Sequence, residues 1–183
     1  WASNVRLAHV TSAPPVIKEG DKVVVNPYEN TLKMHLAFQE MVMKNTALHF
    51  ITSKSDLNFY DTGLLFGFQH APEDLTKKRV QRLKDEAVFA MVLAFGEKTK
   101  YGCGFACEDD TGLTSGGRNL INWMSAADIV LDLSHAGHKT AHDALTFIQQ
   151  EKLQIQIMAS HTGSYKVYPH KRNLPDEILE EIA

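Results

Sequence analysis

Between residues 63 and 159 the chain alternates largely apolar runs with amphipathic segments, and no other feature restricts its fold as strongly. The apolar runs occupy 63–68, 88–95, 129–133 and 154–159. Segments 72–87, 115–127 and 140–151 carry helical spacing between them, and Pro175 opens a further helix over 175–182. Strands apolar along their whole length are strands buried on both faces, as in a parallel sheet covered by helices. Strand–helix units of this kind turn with one hand, so the C-terminal ends of all their strands reach the same rim. Gln69, His70, Gly96, His135 and His161 are expected there together.

Two of those rim positions share a motif. Ser134-His135-Ala136-Gly137 and Ser160-His161-Thr162-Gly163 follow consecutive strands. Neutral imidazole is the commonest metal ligand, and two histidines on adjacent strand ends can share one ion. Asp132 and the two serines stand close enough in sequence to hydrogen-bond the rings from behind and set which nitrogen carries the proton. His138 and His142, four apart at a helix start, are expected to be solvated or capping. Arg172 lies in the loop beyond the second motif, where a guanidinium can grip a carboxylate with two parallel hydrogen bonds, or alternatively pair with Asp176. Glu108, Asp109 and Asp110 read as a solvated acidic turn.

A chain of 183 residues with 44% hydrophobic and 22% charged residues reads as one soluble domain, 1–183. Its net charge of -3 and lack of a basic stripe argue against a nucleic-acid partner. No run approaches the roughly 20 apolar residues of a membrane span. Cys103 and Cys107 are too few for a disulfide framework and lack zinc-finger spacing, so they read as reduced loop thiols. Residues 1–30 read as an irregular lead-in, broken at Ala13-Pro14-Pro15, with a short strand from Lys22 to Val25. A helix over 30–45 follows, its methionine-rich face (Met34, Met41, Met43) assigned to the core, and then a strand over 47–51. Four or five such units make about half of the ~250 residues of a closed eight-unit barrel. The open edges imply completion by further chain or by another copy.

The runs Glu108-Asp109-Asp110-Thr111-Gly112-Leu113-Thr114, Gly117-Arg118, Asp132-Leu133-Ser134-His135, Ser160-His161 and His170-Lys171-Arg172-Asn173-Leu174-Pro175-Asp176-Glu177 together resemble the membrane dipeptidase (renal dipeptidase) family of metallopeptidases. The resemblance is good from Gly63 onward. It implies a (β/α)8 barrel of the amidohydrolase type, of which this chain is the central part. It also implies one or two zinc ions and hydrolysis of dipeptides by zinc-activated water. By that resemblance His135 and His161 are ligands of one zinc, and Arg172 binds the substrate's terminal carboxylate. Gln69 stands where the family has a bridging glutamate, and so enters the expected metal set as a neutral replacement. The family's His-x-Asp pair on the first strand has no match. Neither does its substrate-contacting histidine, expected after the strand that ends near Phe95, nor its late-strand aspartate. Those departures support an alternative: a degenerate relative that binds a peptide-like ligand without turning it over. A bacterial cytoplasmic and an exported location are both compatible with the sequence.

Overall fold

The structure, a computed structural model, describes residues 6–12, 17–19, 22–24, 27–57 and 62–183. The expected breaker at 13–15 and the end of the short strand at Val25 and Asn26 lie outside the described residues. The strands are β1 (Leu7–Ser12), β2 (Ile17–Glu19), β3 (Lys22–Val24), β4 (Leu48–Phe50), β5 (Thr62–Phe68), β6 (Val88–Val92), β7 (Val130–Asp132) and β8 (Ile157–Met158). The helices are α1 (Tyr28–Met43), α2 (Lys77–Asp85), α3 (Ser115–Ala127), α4 (His138–Glu151) and α5 (Asp176–Ile182).

Six strands form one parallel sheet in the order β1-β5-β6-β7-β8, with β4 also paired to β5. The fold class is α/β, and the parallel strands place their C-terminal ends on one rim, as the alternation requires. β2 and β3 make a separate antiparallel pair. One strand escapes the sequence pattern: β1 lies in the stretch read as an irregular lead-in, yet it pairs with β5 from Leu7↔Gly63 to Ser12↔Phe68. His9 and Thr11 interrupt its apolar run, which is why it does not read as a buried strand.

Alternation along β5 sorts its side chains. Phe66 and Phe68 enter the main core with Leu83, Met91, Leu120, Ile121, Met124 and Leu131, all buried between sheet and helices. Each such side chain contributes on the order of 1.5–3 kcal/mol on burial. Gly67, between the two phenylalanines, faces the opposite side of the sheet. A β-carbon there would lie 2.7 Å from His9 Nε2, so the glycine makes room for that imidazole.

Helix boundaries follow local chemistry. Thr114 caps α3 by accepting from Gly117 N at 3.0 Å, and Asp128 ends it in the left-handed conformation. Helix α2 starts later than the expected 72, because Thr76 provides the N-cap. Helix α1 turns a different face inward from the one expected. Tyr28, Thr31, His35 and Val42 are buried, whereas Met41 and Met43 are 59% and 80% exposed. The ring of His35 fills the place given to methionine, against Phe66 at 4.2 Å, with Nε2 donating to Glu86 O at 2.5 Å.

Asp110 departs from the expected solvated acidic turn. Its carboxylate accepts from Gly112 N, Lys139 N, Thr140 N and Thr140 Oγ1. Gly137 gives α4 no side-chain cap, and Asp110 supplies one from a distant loop.

Candidate metal centre

The rim brings the two serine–histidine motifs together. β7 and β8 pair in register at Asp132↔Met158, so the residues two and three beyond each of these positions stand opposite one another. The Nε2 atoms of His135 and His161 are 2.8 Å apart. His135 reaches this position with φ at 72°, a left-handed conformation that a non-glycine residue adopts at a cost of about 1–2 kcal/mol.

Behind the pair lies Asp132, 2% exposed. Its Oδ1 accepts from Ser134 N at 2.9 Å and Ser160 N at 3.2 Å, and its Oδ2 accepts from Ser160 Oγ at 2.5 Å. Ser160 Oγ is also 2.7 Å from His161 Nδ1. A carboxylate only accepts, so the serine proton points to Asp132 and the serine oxygen must accept from His161 Nδ1–H. The hydrogen-bond network thereby assigns His161 the tautomer whose Nε2 lone pair faces His135. Two nitrogen lone pairs 2.8 Å apart repel unless a proton or a cation lies between them. Ser134 Oγ completes the frame by accepting from His161 N at 3.1 Å.

His135 is held differently. Its ring stacks on Phe95 with centroids 4.2 Å apart and planes at 28°, and Phe105 lies 5.8 Å away on another side. Its Nδ1 is buried and has no hydrogen-bond partner among the described residues. Burial, then the Arg172 guanidinium and His161, push its pKa down to about 4 against the opposing pull of Asp132. The ring is therefore neutral at physiological pH, the form that coordinates metals.

Arg172 is beside the pair rather than paired with Asp176, which accepts from Ser164 Oγ instead. Its Nη2 donates to His161 O at 3.0 Å and its Cζ lies 5.6 Å from the Phe105 ring. Nη1 is buried without a hydrogen-bond partner among the described residues, leaving donor capacity at the rim. Burial lowers the pKa of the guanidinium, and Asp132 opposes that shift.

Gln69 stands at the end of β5, with its amide nitrogen engaged on β1. Its Nε2 donates to Thr11 Oγ1 at 2.9 Å on the neighbouring strand, and among the described residues no hydrogen bond joins it to either histidine. His138 is half-buried, with Nε2 on Asn173 O at 2.7 Å and its ring against Tyr165, so it is neither solvated nor turned to the pair. His142 is exposed, as expected. Cys103 and Cys107 are free thiols, the first buried. Burial and the neighbouring Cys103 push the Cys107 thiol up to about 11. Sequence reasoning missed His9. Its ring lies over Gly67, its Nε2 is buried without a partner among the described residues, and burial lowers its pKa while Asp132 opposes. The signal that could have found it is Gly67, a small residue breaking an otherwise bulky strand.

Among the described residues, no group of three or more His, Cys, Asp and Glu side chains could hold a metal ion. The two imidazoles are nevertheless a fitting part of one. Nitrogens bound at about 2.05 Å in a tetrahedral shell stand about 3.3 Å apart, a small opening from the observed 2.8 Å.

A family model for the membrane dipeptidases (peptidase family M19) matches residues 11–183. An uncharacterised dipeptidase of Schizosaccharomyces pombe is 34% identical over 73 residues, covering 40% of this chain and 16% of that protein. The solved amidohydrolase from Pseudomonas aeruginosa superposes with a TM-score of 0.80 at 24% identity, over 96% of this chain and 51% of that one. A metallopeptidase from Rhodobacter sphaeroides, solved with a phosphinate mimic of the dipeptide L-Ala-D-Ala, superposes with a TM-score of 0.68 at 19% identity, over 85% of this chain and 46% of that one. The chain thus spans about half the length of these solved relatives. Their likeness carries the fold alone, a parallel α/β sheet of the partial-barrel kind. The match over 11–183 carries the family: the chain belongs to the membrane dipeptidases, a family of metallopeptidases.

Proposed function

We propose that residues 1–183 form part of a single barrel domain and supply one side of a zinc-dependent dipeptidase site. His135 and His161 would hold one ion through their Nε2 atoms. The observation that carries this reading is the convergence of those atoms at 2.8 Å while His161 Nδ1 is engaged from behind. A bound zinc ion supplies Lewis-acid polarisation of the scissile carbonyl and lowers the pKa of water.

The remaining roles belong to the chain itself. Asp132 and Ser160 keep a proton on His161 Nδ1 and so keep its Nε2 free. Arg172, anchored by its Nη2 to the His161 carbonyl, lies beside the pair, where its guanidinium would take the terminal carboxylate of a dipeptide. The Phe95 and Phe105 rings shield the His135 side of the site from water. Gln69 offers only a neutral Oε1, because its Nε2 is committed to Thr11. It cannot bridge two cations as a carboxylate does, so the reading is of one ion at the histidine pair, with the further ligands outside the described set.

The neutral Gln69 also favours a second reading, a relative that binds a dipeptide-like ligand without hydrolysing it. Metal analysis of the full-length protein, and hydrolysis of a dipeptide panel by wild type, His135→Ala and His161→Ala, separate the two. Zinc-dependent turnover lost in both variants supports the peptidase. Metal-independent dipeptide binding without turnover supports the binder. Full metal content in both histidine variants would overturn the proposed centre.

A further inference from the structure

The two histidines are oriented by unlike devices, and the device that holds His135 has a consequence of its own. A metal-binding histidine ordinarily donates its second ring N–H to a carboxylate or carbonyl, and that bond sets the ring's orientation. His161 has such a bond through Ser160. His135 has none among the described residues, although its Nδ1 is buried and its backbone is in the left-handed region. What touches the ring is aromatic. Phe95 is stacked on it at 4.2 Å and 28°, and Phe105 approaches at 5.8 Å and 43°.

The backbones that carry both rings are held in place. Phe95 follows directly on Leu93 and Ala94, which are fully buried just beyond β6, so its backbone is anchored although the side chain is 39% exposed. Phe105 N donates to His135 O at 2.8 Å, Gly137 N donates to Cys103 O at 2.9 Å and Ala106 N donates to Gly96 O at 2.9 Å. These bonds lace the loop after Phe95 onto the first histidine motif. The Phe105 backbone is thereby tied directly to that of His135.

We infer that Phe95 and Phe105 form an aromatic clamp that positions His135 Nε2 toward His161, replacing the hydrogen bond such a ring normally uses. The inference rests on the proposed metal role of the pair. Phe95 is the positioning residue to perturb, because its partial exposure lets it shrink without opening the core. An offset-stacked aromatic pair is worth about a three- to ten-fold change in an equilibrium.

The test uses full-length protein with its zinc exchanged for cobalt(II), read by visible absorption, and NMR of the His135 Hε1 resonance. Phe95→Leu is expected to weaken cobalt affinity about three- to ten-fold and to abolish the upfield ring-current shift of His135 Hε1. Phe95→Tyr, which keeps the stacked ring, is expected to restore both. Thermal melting of the metal-free forms identifies any variant that fails to fold, and Phe105→Leu then serves in place of Phe95→Leu. An unchanged ring-current shift in folded Phe95→Leu, or an affinity equal to wild type, overturns the clamp. Wild-type protein that binds no cobalt overturns the metal reading instead, and its ring-current comparison still decides whether Phe95 lies stacked on the His135 ring.

Discussion

Replacing Asp132 by asparagine tests the logic of the histidine pair with almost no change in shape. In Asp132→Asn the amide oxygen keeps the two backbone donors, Ser134 N and Ser160 N, but the amide nitrogen now faces Ser160 Oγ, where the carboxylate Oδ2 had accepted at 2.5 Å. The serine oxygen then accepts from the amide, and its proton turns to His161 Nδ1. That reverses the relay and moves the imidazole proton to Nε2, the atom that should hold a metal. Binding an ion requires the original tautomer back, with the serine hydroxyl left without an acceptor. Ser134 Oγ is 3.5 Å away and already accepts from His161 N, so it offers a poor substitute. Ser160 is exposed, so water takes up part of the loss and the net cost is that of one hydrogen bond, about 0.5–1.5 kcal/mol. At about 1.4 kcal/mol per factor of ten, this predicts cobalt or zinc affinity roughly two- to ten-fold weaker. The assay is metal titration of full-length wild type and Asp132→Asn, with ¹⁵N NMR of His161 reporting the tautomer. A folded variant with wild-type affinity, or one whose His161 Nδ1 stays protonated, would refute the reasoning.

Two further outcomes follow from burial. Gly67→Ala places a β-carbon 2.7 Å from His9 Nε2 and 3.0 Å from Ala90 O, and should destabilise by about 1–3 kcal/mol in urea unfolding. Pairing it with His9→Ala should recover part of that loss, and strict additivity of the two changes would show that the two side chains do not meet. Burial also lowers the pKa of His35, with the Glu86 carbonyl and carboxylate opposing. The unfolded chain then takes up a proton near about pH 6.5 that the folded chain refuses. Stability from this residue is fully present above about pH 6.5 and is lost as pH falls toward the depressed folded value. His35→Gln, which can still donate to Glu86 O, should flatten the acid limb of a stability–pH profile by up to about 1.4 kcal/mol per pH unit; an unchanged slope refutes the assignment.

The parts of this fold that were legible from sequence are those whose side chains all serve one purpose. Helix α3 reads correctly from Ser115 to Ala127 because Thr114, its apolar stripe and Asp128 agree. β5 and β6 read as strands because their runs are apolar on both faces, and β7 and β8 because theirs are mostly apolar, interrupted by Asp132 and by Gln154 and Gln156. β1 does not, because His9 and Thr11 turn toward the open face of the sheet, and their polarity breaks the run. Helix α1 misleads in the opposite way: its methionines fit a core stripe, yet the buried positions go to Thr31 and the 0% exposed His35. At the candidate site, the pairing of His135 with His161 was legible from the repeated motif at two strand ends. The carboxylate Asp110 and the ring of Phe95 were not, since their partners lie about 30 and 40 residues away, a separation that local pattern does not span.

Asp110 has a consequence for motion. By capping α4 from the loop after β6, it makes that loop and the first turn of the helix a single unit, which must open together or stay closed together. Amide exchange at Gly112, Lys139 and Thr140 should therefore be protected to a common level. A loop held in this way makes a poor door. The segment bearing Arg172 is the freer side of the rim, with Val167 and Tyr168 84% and 66% exposed.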